Sequence, residues 1–400
     1  LMARLEEFPE LKGFITLPDG GIYGLPFYDS VNGLANEIIA GVAVNTTWLD
    51  KLGIDIPETY DEFEKMLYAF KSKDPNGNGI QDEIPFVSHP NANTLFNDFT
   101  LFSSLGIQTL CSWGFKDLMC MQDGKVAYVP ATEEYEYAIT YLHRWYQDGL
   151  IEPENASISP PEIDAKLKIE PDIYGAVQTQ TVQNLMSPDK IDIETGDYQL
   201  IPPLKGPDGQ QYVSKRVPSA TRVGAVITTD CQYPEECLRW FDYFYGEEGG
   251  LYACYGEPGI VWDYNDDGAV EALKPADPTI GYHHWWRSNS VNVPGIIPKD
   301  SNVLMRESWK LRYLQMQKLE PYATLEFTWP QLVFSPEESN TISLYEQDLL
   351  TYVQQSMAHF VMDGDADIEA EWDDYLKNLK SLGLDTLLET YQNRYDQDQT

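Results

Sequence analysis

The chain has 400 residues, 42% hydrophobic and 13% aromatic, with 26 Tyr and 10 Trp, enough for two packed lobes at usual domain sizes of about 100–150 residues. Its formal net charge of −37 comes from acids spread along the whole length and disfavours nucleic acid and anionic lipid as partners. No run approaches the roughly 20 apolar residues that span a bilayer.

The chain opens at Leu1-Met-Ala-Arg, without the charged and apolar regions of a signal peptide. Asp19-Gly-Gly-Ile-Tyr-Gly-Leu-Pro26 predicts a turn and then a short strand. Gly41 to Asn45 is small and β-prone. Thr59 and Glu62 stand as a capping box, Thr-x-x-Glu, before Phe63, Met66, Leu67 and Phe70 recur at helical spacing. Thr94 to Leu105 is largely apolar and reads as a helix. Lys125 to Val129 reads as a strand after an Asp123-Gly124 turn. Thr132 then caps a helix with Ala138, Ile139, Leu142, Trp145 and Tyr146 on its inner face and Gly149 as its stop. Ile173 to Val177 and Arg222 to Thr228 are apolar strands. Pro234-Glu-Glu starts a helix whose face carries Leu238, Phe241 and Tyr245. The last third is helical by pattern, with Trp372, Tyr375, Leu376, Leu379 and Leu382 on one helix and Thr386 to Tyr395 on another. Strands alternating with helices predict an α/β protein with covered sheets.

The five cysteines are Cys111, Cys120, Cys231, Cys237 and Cys254. An odd number excludes complete pairing within one chain, and the spacing fits no zinc pattern. Cys231 and Cys237 are near enough to bridge; free, partly buried thiols are the equal alternative.

The segment Asp74-Pro-Asn76-Gly-Asn78-Gly79-Ile80-Gln-Asp82-Glu83 has the chemistry of a calcium loop. Calcium takes six to eight hard oxygen ligands at alternating positions, with glycine where the loop turns sharply. Asp74, Asn76 and Asn78 take the first, third and fifth places, Gly79 the sixth, Ile80 the seventh through its carbonyl, and Asp82 the ninth. The twelfth place, where an EF-hand has a bidentate Glu, is Pro85, which also blocks an exiting helix. Glu83 must close the shell early, so a structural Ca2+ is expected; the alternative is an Asn/Gly turn decorated with solvated acids. Asp363-Gly-Asp365-Ala-Asp367 lacks the sixth-place glycine and reads as an acidic helix start. Asp263 to Gly268 reads as a turn, since Lys274 stands at the closing position.

Three elements carry a family resemblance: Tyr23-Gly-Leu-Pro26, Asn45-Thr-Thr-Trp48-Leu-Asp-Lys-Leu-Gly53, and the Asp74 to Pro85 loop. Together they resemble the family-1 extracellular solute-binding proteins of bacterial ABC transporters, the branch serving oligosaccharide importers. Asp123 to Glu154, Tyr243 to Gly249, Tyr255 to Gly259 and the closing helices resemble later segments of that family. The resemblance implies a two-lobed, periplasmic-binding-protein-like fold of type II, with a hinge. Residues 1–43 and 224–300 would form a first lobe, and 44–223 and 301–400 a second carrying the calcium loop. It further implies an oligosaccharide ligand held between the lobes, a membrane permease as partner, a monomer, and a cell-surface lipoprotein or periplasmic location. Members carry a signal, a lipid-anchored cysteine and about a hundred further residues before the Tyr-x-x-Pro element. The first lobe as given is therefore expected to lack its leading strands.

A sugar site needs flat aromatic platforms and polar side chains, because the negative ring face favours C–H groups. Loop positions outside helical periodicity supply Tyr28, Asp29, Trp113, Trp262, Trp285, Trp286 and Trp329. Arg222 and Glu257 would bond hydroxyls or pair with other charges. Core packing is the alternative for each tryptophan, and Trp285 and Trp286 cannot both face one way in an extended segment. A secreted glycosidase is the enzyme alternative and would need two carboxylates about 5–10 Å apart across a cleft. A calcium-dependent adhesion module is a third reading, supported only by the Asp74 loop.

Overall fold

A computed structural model of the chain describes residues 1–17, 19–28, 37–38, 41–88, 100–107, 118–154, 157–179, 188–192, 195–215, 222–277, 285, 288–289, 293–304, 307–330 and 332–398. It divides into two compact units. One comprises Leu1–Glu37, Val217–Tyr313 and Gln331–Ser335; the other comprises Ile38–Arg216, Leu314–Pro330 and Pro336–Thr400. Where the sequence expectation changes lobe at 44, 224 and 301, the units change at Ile38, Val217 and Leu314, and Gln331–Ser335 returns to the first.

In the first unit, strand Gly24–Tyr28 lies between Gly295–Ile296, to which it is parallel, and Arg222–Val226, to which it is antiparallel. The antiparallel register shifts between Leu25 and Pro26, as expected where proline offers the ladder no N–H. Successive strand side chains face opposite ways, and two apolar clusters follow from that alternation. Tyr28 and Ile296 pack with Leu5, Phe8, Leu11, Ile15 and Tyr245. Phe27 and Ile297 pack with Leu251, Cys254, Tyr255, Val261, Trp262 and Val270. The first cluster is covered by helices Met2–Glu7 and Pro9–Ile15, which the sequence reading did not assign. The second uses helix Glu247–Tyr255 and the hairpin of Trp262–Tyr264 with Val270–Ala272. At the hairpin tip, Asn265 Oδ1 accepts the N–H of Asp267 and of Ala269, so Asp263 to Gly268 is the turn its sequence suggests. Helix Pro234–Asp242 differs from expectation: it has no buried residue, and Leu238 on its apolar face is exposed.

The second unit is organised on the sheet order Ile84–Ser88, Tyr174–Thr179, Gly41–Asn45, Tyr198–Leu200. Gly41–Asn45 is antiparallel to both neighbours and wholly buried; Ile84–Ser88 runs parallel to Tyr174–Thr179. Helix Tyr60–Ser72 starts as predicted, with Thr59 Oγ1 accepting the Glu62 N–H. Glu62 reaches back to the N–H of Glu58 rather than that of Thr59. Its apolar face meets the sheet through Phe63 against Phe86, ring centroids 5.9 Å apart. Phe70 rests on Gly175, where a Cβ would stand 2.3 Å from the Phe70 ring, so only glycine permits that approach. Helix Glu133–Gln147, capped by Thr132, adds Trp145 between Phe63 and Phe102. Of the stretch Thr94–Leu105 read as a helix, the described part, Thr100–Leu105, is 3-10 rather than α. Helices Pro336–Met362, Ile368–Ser381 and Leu384–Asp398 complete the unit. Asp367 caps the second of these through the Ala370 N–H, which makes the acidic Asp363–Asp367 run a helix start.

Candidate functional site

A concavity of about 690 Å³ lies within the second unit, within the usual 300–1,000 Å³ of ligand pockets. Five chain segments build it. The first is the 3-10 turn, whose Ser103 and Ser104 hydroxyls hold the Tyr212 backbone: Ser103 Oγ donates to the Tyr212 carbonyl at 2.5 Å, and the Tyr212 N–H donates to Ser104 Oγ at 2.9 Å. The second is the hairpin of Met119–Gln122 with Lys125–Tyr128, turned tightly at Asp123-Gly124. The third is the acidic first turn of Glu133–Gln147, where Gln122 Nε2 donates to Glu134 at 3.0 Å. The fourth is the loop 207–212, and the fifth is Glu326-Phe327. The Met121 N–H donates to the Phe327 carbonyl at 3.1 Å, which ties the last segment to the hairpin.

Three aromatic rings line this hollow, Tyr137, Tyr212 and Phe327. Tyr212 and Phe327 meet edge to face at 5.2 Å. Tyr137 is 36% exposed and leans on Tyr141 at 5.2 Å, and Tyr141 in turn donates to Asp61 at 2.9 Å. Asp123, Glu133, Glu134, Asp208 and Glu326 supply carboxylates, and Gln122 and Gln210 supply amides. No Lys, Arg or His stands among the described lining residues. Rings and acceptors on one wall suit a polyhydroxylated ligand: C–H faces stack on the rings and hydroxyls donate to the carboxylates. An anionic ligand would meet like charge.

None of the described residues among those expected from sequence, Tyr28, Arg222, Glu257, Trp262, Trp285 and Trp329, lines this hollow. Trp262 is 2% exposed; its indole N–H donates to the Gly256 carbonyl at 2.8 Å, and its ring packs on Tyr252 and Tyr264. Trp329 is buried against Tyr391 and Tyr395. Tyr28 is buried with its ring edge-on to Phe8 at 5.1 Å. These three rings are occupied by core packing. Trp285 is half-buried against the Phe27 cluster and accepts Asn289 Nδ2 on its carbonyl, while Glu257 is exposed. Arg222 is placed by its backbone, paired with Phe27. Asp29, Trp113 and Trp286 lie outside the described residues.

The Asp74 loop is wound by its own side chains. Asp74 adopts φ +51° and accepts the N–H of Gly77 at 3.0 Å and of Gly79 at 3.1 Å. Asn76 Oδ1 accepts from Asn78, and Asn78 Oδ1 accepts from Ile80. Gly79 stands at φ +76°, the left-handed conformation its sixth-place position requires. Asn76 and Asn78 turn their Nδ2 groups to Asp82 at 2.9 to 3.1 Å. Among the described residues, no three carboxylates, imidazoles or thiols stand together as a metal shell. Glu83 is the telling member: it is buried, and neither carboxylate oxygen has a hydrogen-bond partner. Burial first, then the charges of Asp74 and Asp82, push its carboxyl above the usual range; the N–H groups of Glu83 and Asn76 oppose this without reaching bonding geometry. An orphaned buried carboxylate within the field of Asp74 and Asp82, on a loop that also carries the amide oxygens of Asn76 and Asn78, supplies the oxygen chemistry a hard cation takes.

Residues 4–251 match the family of bacterial extracellular solute-binding proteins. The chain belongs to that family. It is 29% identical, over 98% of its length and 72% of the relative's, to the fructooligosaccharide ABC transporter substrate-binding protein FusA of Streptococcus pneumoniae. It is 24% identical to lipoprotein LipO of Bacillus subtilis, over 90% of this chain and 69% of that one. Among solved structures, S. pneumoniae FusA in complex with kestose superposes with a TM-score of 0.79 at 26% identity, covering 100% of this chain and 80% of that one. A FusA EF-hand mutant in complex with fructo-nystose gives the same values. An extracellular solute-binding protein from Bifidobacterium longum subsp. infantis shares the fold, with a TM-score of 0.83 at 22% identity, 100% of this chain and 81% of that one. The α/β fold of two-lobed solute-binding proteins is thus established. The molecule is a substrate-binding receptor of the ABC-transporter kind and not an enzyme, and the glycosidase alternative finds no support. No described helix is long and apolar enough to cross a membrane.

Proposed function

We propose that this receptor captures a neutral oligosaccharide outside the cell and delivers it to the permease of an ABC importer, with the wall of Tyr137, Tyr212 and Phe327 as its contact surface in the second unit. The single observation that carries this reading is the convergence of those rings with carboxylates and amides, and no described cation, on one concavity. Stacking on the accessible faces of these rings gives affinity, and the acceptors select hydroxyl-rich over anionic ligands. FusA, described as a fructooligosaccharide receptor, supports a short neutral oligosaccharide. Likeness to lipoprotein LipO supports a membrane tether. Asp29, Trp113, Arg222, Glu257, Trp285 and Trp286 remain proposed contacts.

A structural Ca2+ held by Asp74, Asn76, Asn78, Ile80, Asp82 and Glu83 belongs to the same reading. The orphaned Glu83 carboxylate supports it, as does the EF-hand described in FusA. The ion would supply fixed positive charge that neutralises Glu83; the chain's own part is to present oxygens on a loop already wound by Asp74 and Asn78.

Isothermal calorimetry against neutral and acidic oligosaccharides tests the first proposal. Neutral oligosaccharides should bind without being consumed, and Tyr212→Ala and Phe327→Ala should each weaken binding by up to about tenfold, at roughly 0.5–1.5 kcal/mol per stacked ring. Unchanged affinity in both variants, with the fold intact by circular dichroism, removes this wall from the site.

A further inference from the structure

Two of the described thiols stand apart from the rest. Cys120 and Cys254 are buried, whereas Cys231 and Cys237 are half-exposed and their sulfurs lie 3.5 Å apart. Neither belongs to the ligand wall or to the calcium loop. Cys231 closes a turn by donating its N–H to the Thr228 carbonyl; Cys237 sits in the first turn and a half of helix Pro234–Asp242, its N–H donating to Tyr233. The backbone on both sides is thus already set, and the sulfurs need approach by only about 1.5 Å to reach bonding distance.

From this geometry we infer that Cys231 and Cys237 form a disulfide when the protein meets an oxidising compartment, stapling the turn after strand Arg222–Val226 to helix Pro234–Asp242. The chemistry balances with a disulfide oxidant, borne by a small molecule or by a thiol–disulfide oxidoreductase. One cysteine thiolate attacks the oxidant's sulfur and expels the first thiol, giving a mixed disulfide. The second thiolate then attacks the protein sulfur, forming the Cys231–Cys237 bond and releasing the second thiol. Two electrons pass to the oxidant, which leaves as two thiols. Such oxidants act where secreted chains fold, and this chain belongs to an extracellular family.

The structure also says why a staple matters here. Helix Pro234–Asp242 has no buried residue, and Trp240, Leu238 and Tyr243 around it are 59%, 47% and 50% exposed. With so little burial to hold it, local opening of this helix is cheap, and a short covalent loop restricts the open ensemble. The shared proton between the sulfurs, followed by burial, raises the Cys237 thiol above its ordinary pKa. That shift lowers the thiolate fraction of Cys237, so the first attack on the oxidant is slow at neutral pH.

The test uses the full chain, with Cys111→Ser to remove the odd thiol that lies outside the described residues. The reduced protein is equilibrated in oxidised and reduced glutathione, denatured, alkylated and mapped by mass spectrometry. The expected result is a loss of about 2 Da, a cross-linked peptide joining positions 231 and 237, and alkylation only at Cys120 and Cys254. Hydrogen exchange over residues 231–242 should slow by about tenfold in the oxidised form, and Cys231→Ser should instead carry a glutathione adduct at Cys237. Four alkylatable thiols after oxidation, adducts without a cross-link in the parent, or unchanged exchange would each overturn the proposal. None of these readouts involves sugar, so failure here is separable from failure of the receptor reading.

Discussion

Glu83 and His359 show how single side chains set the conditions under which the second unit holds together. Glu83 is buried with both oxygens unpartnered, so a cation at the Asp74 loop should be felt as global stability. Calcium-loaded protein should melt several degrees higher than protein in EDTA, and Glu83→Gln should abolish that difference while raising the EDTA midpoint, because an amide tolerates the apolar site better than a charge. Differential scanning calorimetry checks both. His359 lies between Asp363 at 3.2 Å and Glu371 at 2.8 Å, linking helix Pro336–Met362 to Ile368–Ser381. The Glu371 hydrogen bond foremost raises its pKa, so the folded state holds a proton that the unfolded state has released. Its stabilisation is complete below about pH 6.5 and is lost as pH rises through the raised value. The carboxyls of Glu371 and Asp363 are held low, first by the N–H groups of Asp367 and Asp365 and then by His359; their share is lost at the acid end. Chemical denaturation at stepped pH should show stability declining above neutrality, and His359→Gln should flatten that slope.

Among the elements, local signals were legible and tertiary ones were not. Thr59, Thr132 and Asp367 each cap the helix start that their sequence marks, because capping is decided within four residues. The helices Met2–Glu7 and Pro9–Ile15 escaped because six or seven residues are too short to establish a period and Pro9 interrupts them. The apolar face of Pro234–Asp242 was legible as a period, but periodicity carries no information about what covers it. Gly175 was invisible for a similar reason: its need arises from Phe70, a distant residue. Gly175→Ala should destabilise the second unit by about 1–3 kcal/mol through overpacking, and Phe70→Leu should recover part of that loss in the double variant. Urea unfolding of the four proteins in the cycle measures the coupling.

For the molecule as a whole, charge and chain path dominate. A net charge of −37 makes the compact state self-repelling, so the melting temperature should rise between about 10 and 150 mM NaCl as the Debye length shortens from roughly 30 to 8 Å; a thermal-shift series checks this. The fold was legible at this scale because the Trp48, Asp74 and Pro85 motifs are contiguous in sequence. The proposed ligand wall was not. Its rings come from separate segments, with Tyr137 reading as an ordinary helix residue and Tyr212 and Phe327 as isolated loop residues, while the loop tryptophans Trp262 and Trp329 are spent on packing.

The interleaved chain path bears on how the protein comes into being. Strand Gly24–Tyr28 is met by Gly295–Ile296, and the unit it belongs to takes its last piece from Gln331–Ser335. At ordinary synthesis rates of about 5–20 residues per second, roughly 270 residues must follow Phe27 before its parallel neighbour exists. The first unit cannot be completed until Gln331–Ser335 has emerged, nor the second until Pro336–Thr400 follows. For a member of an extracellular family, that delay keeps the polypeptide in a form that an export channel can thread.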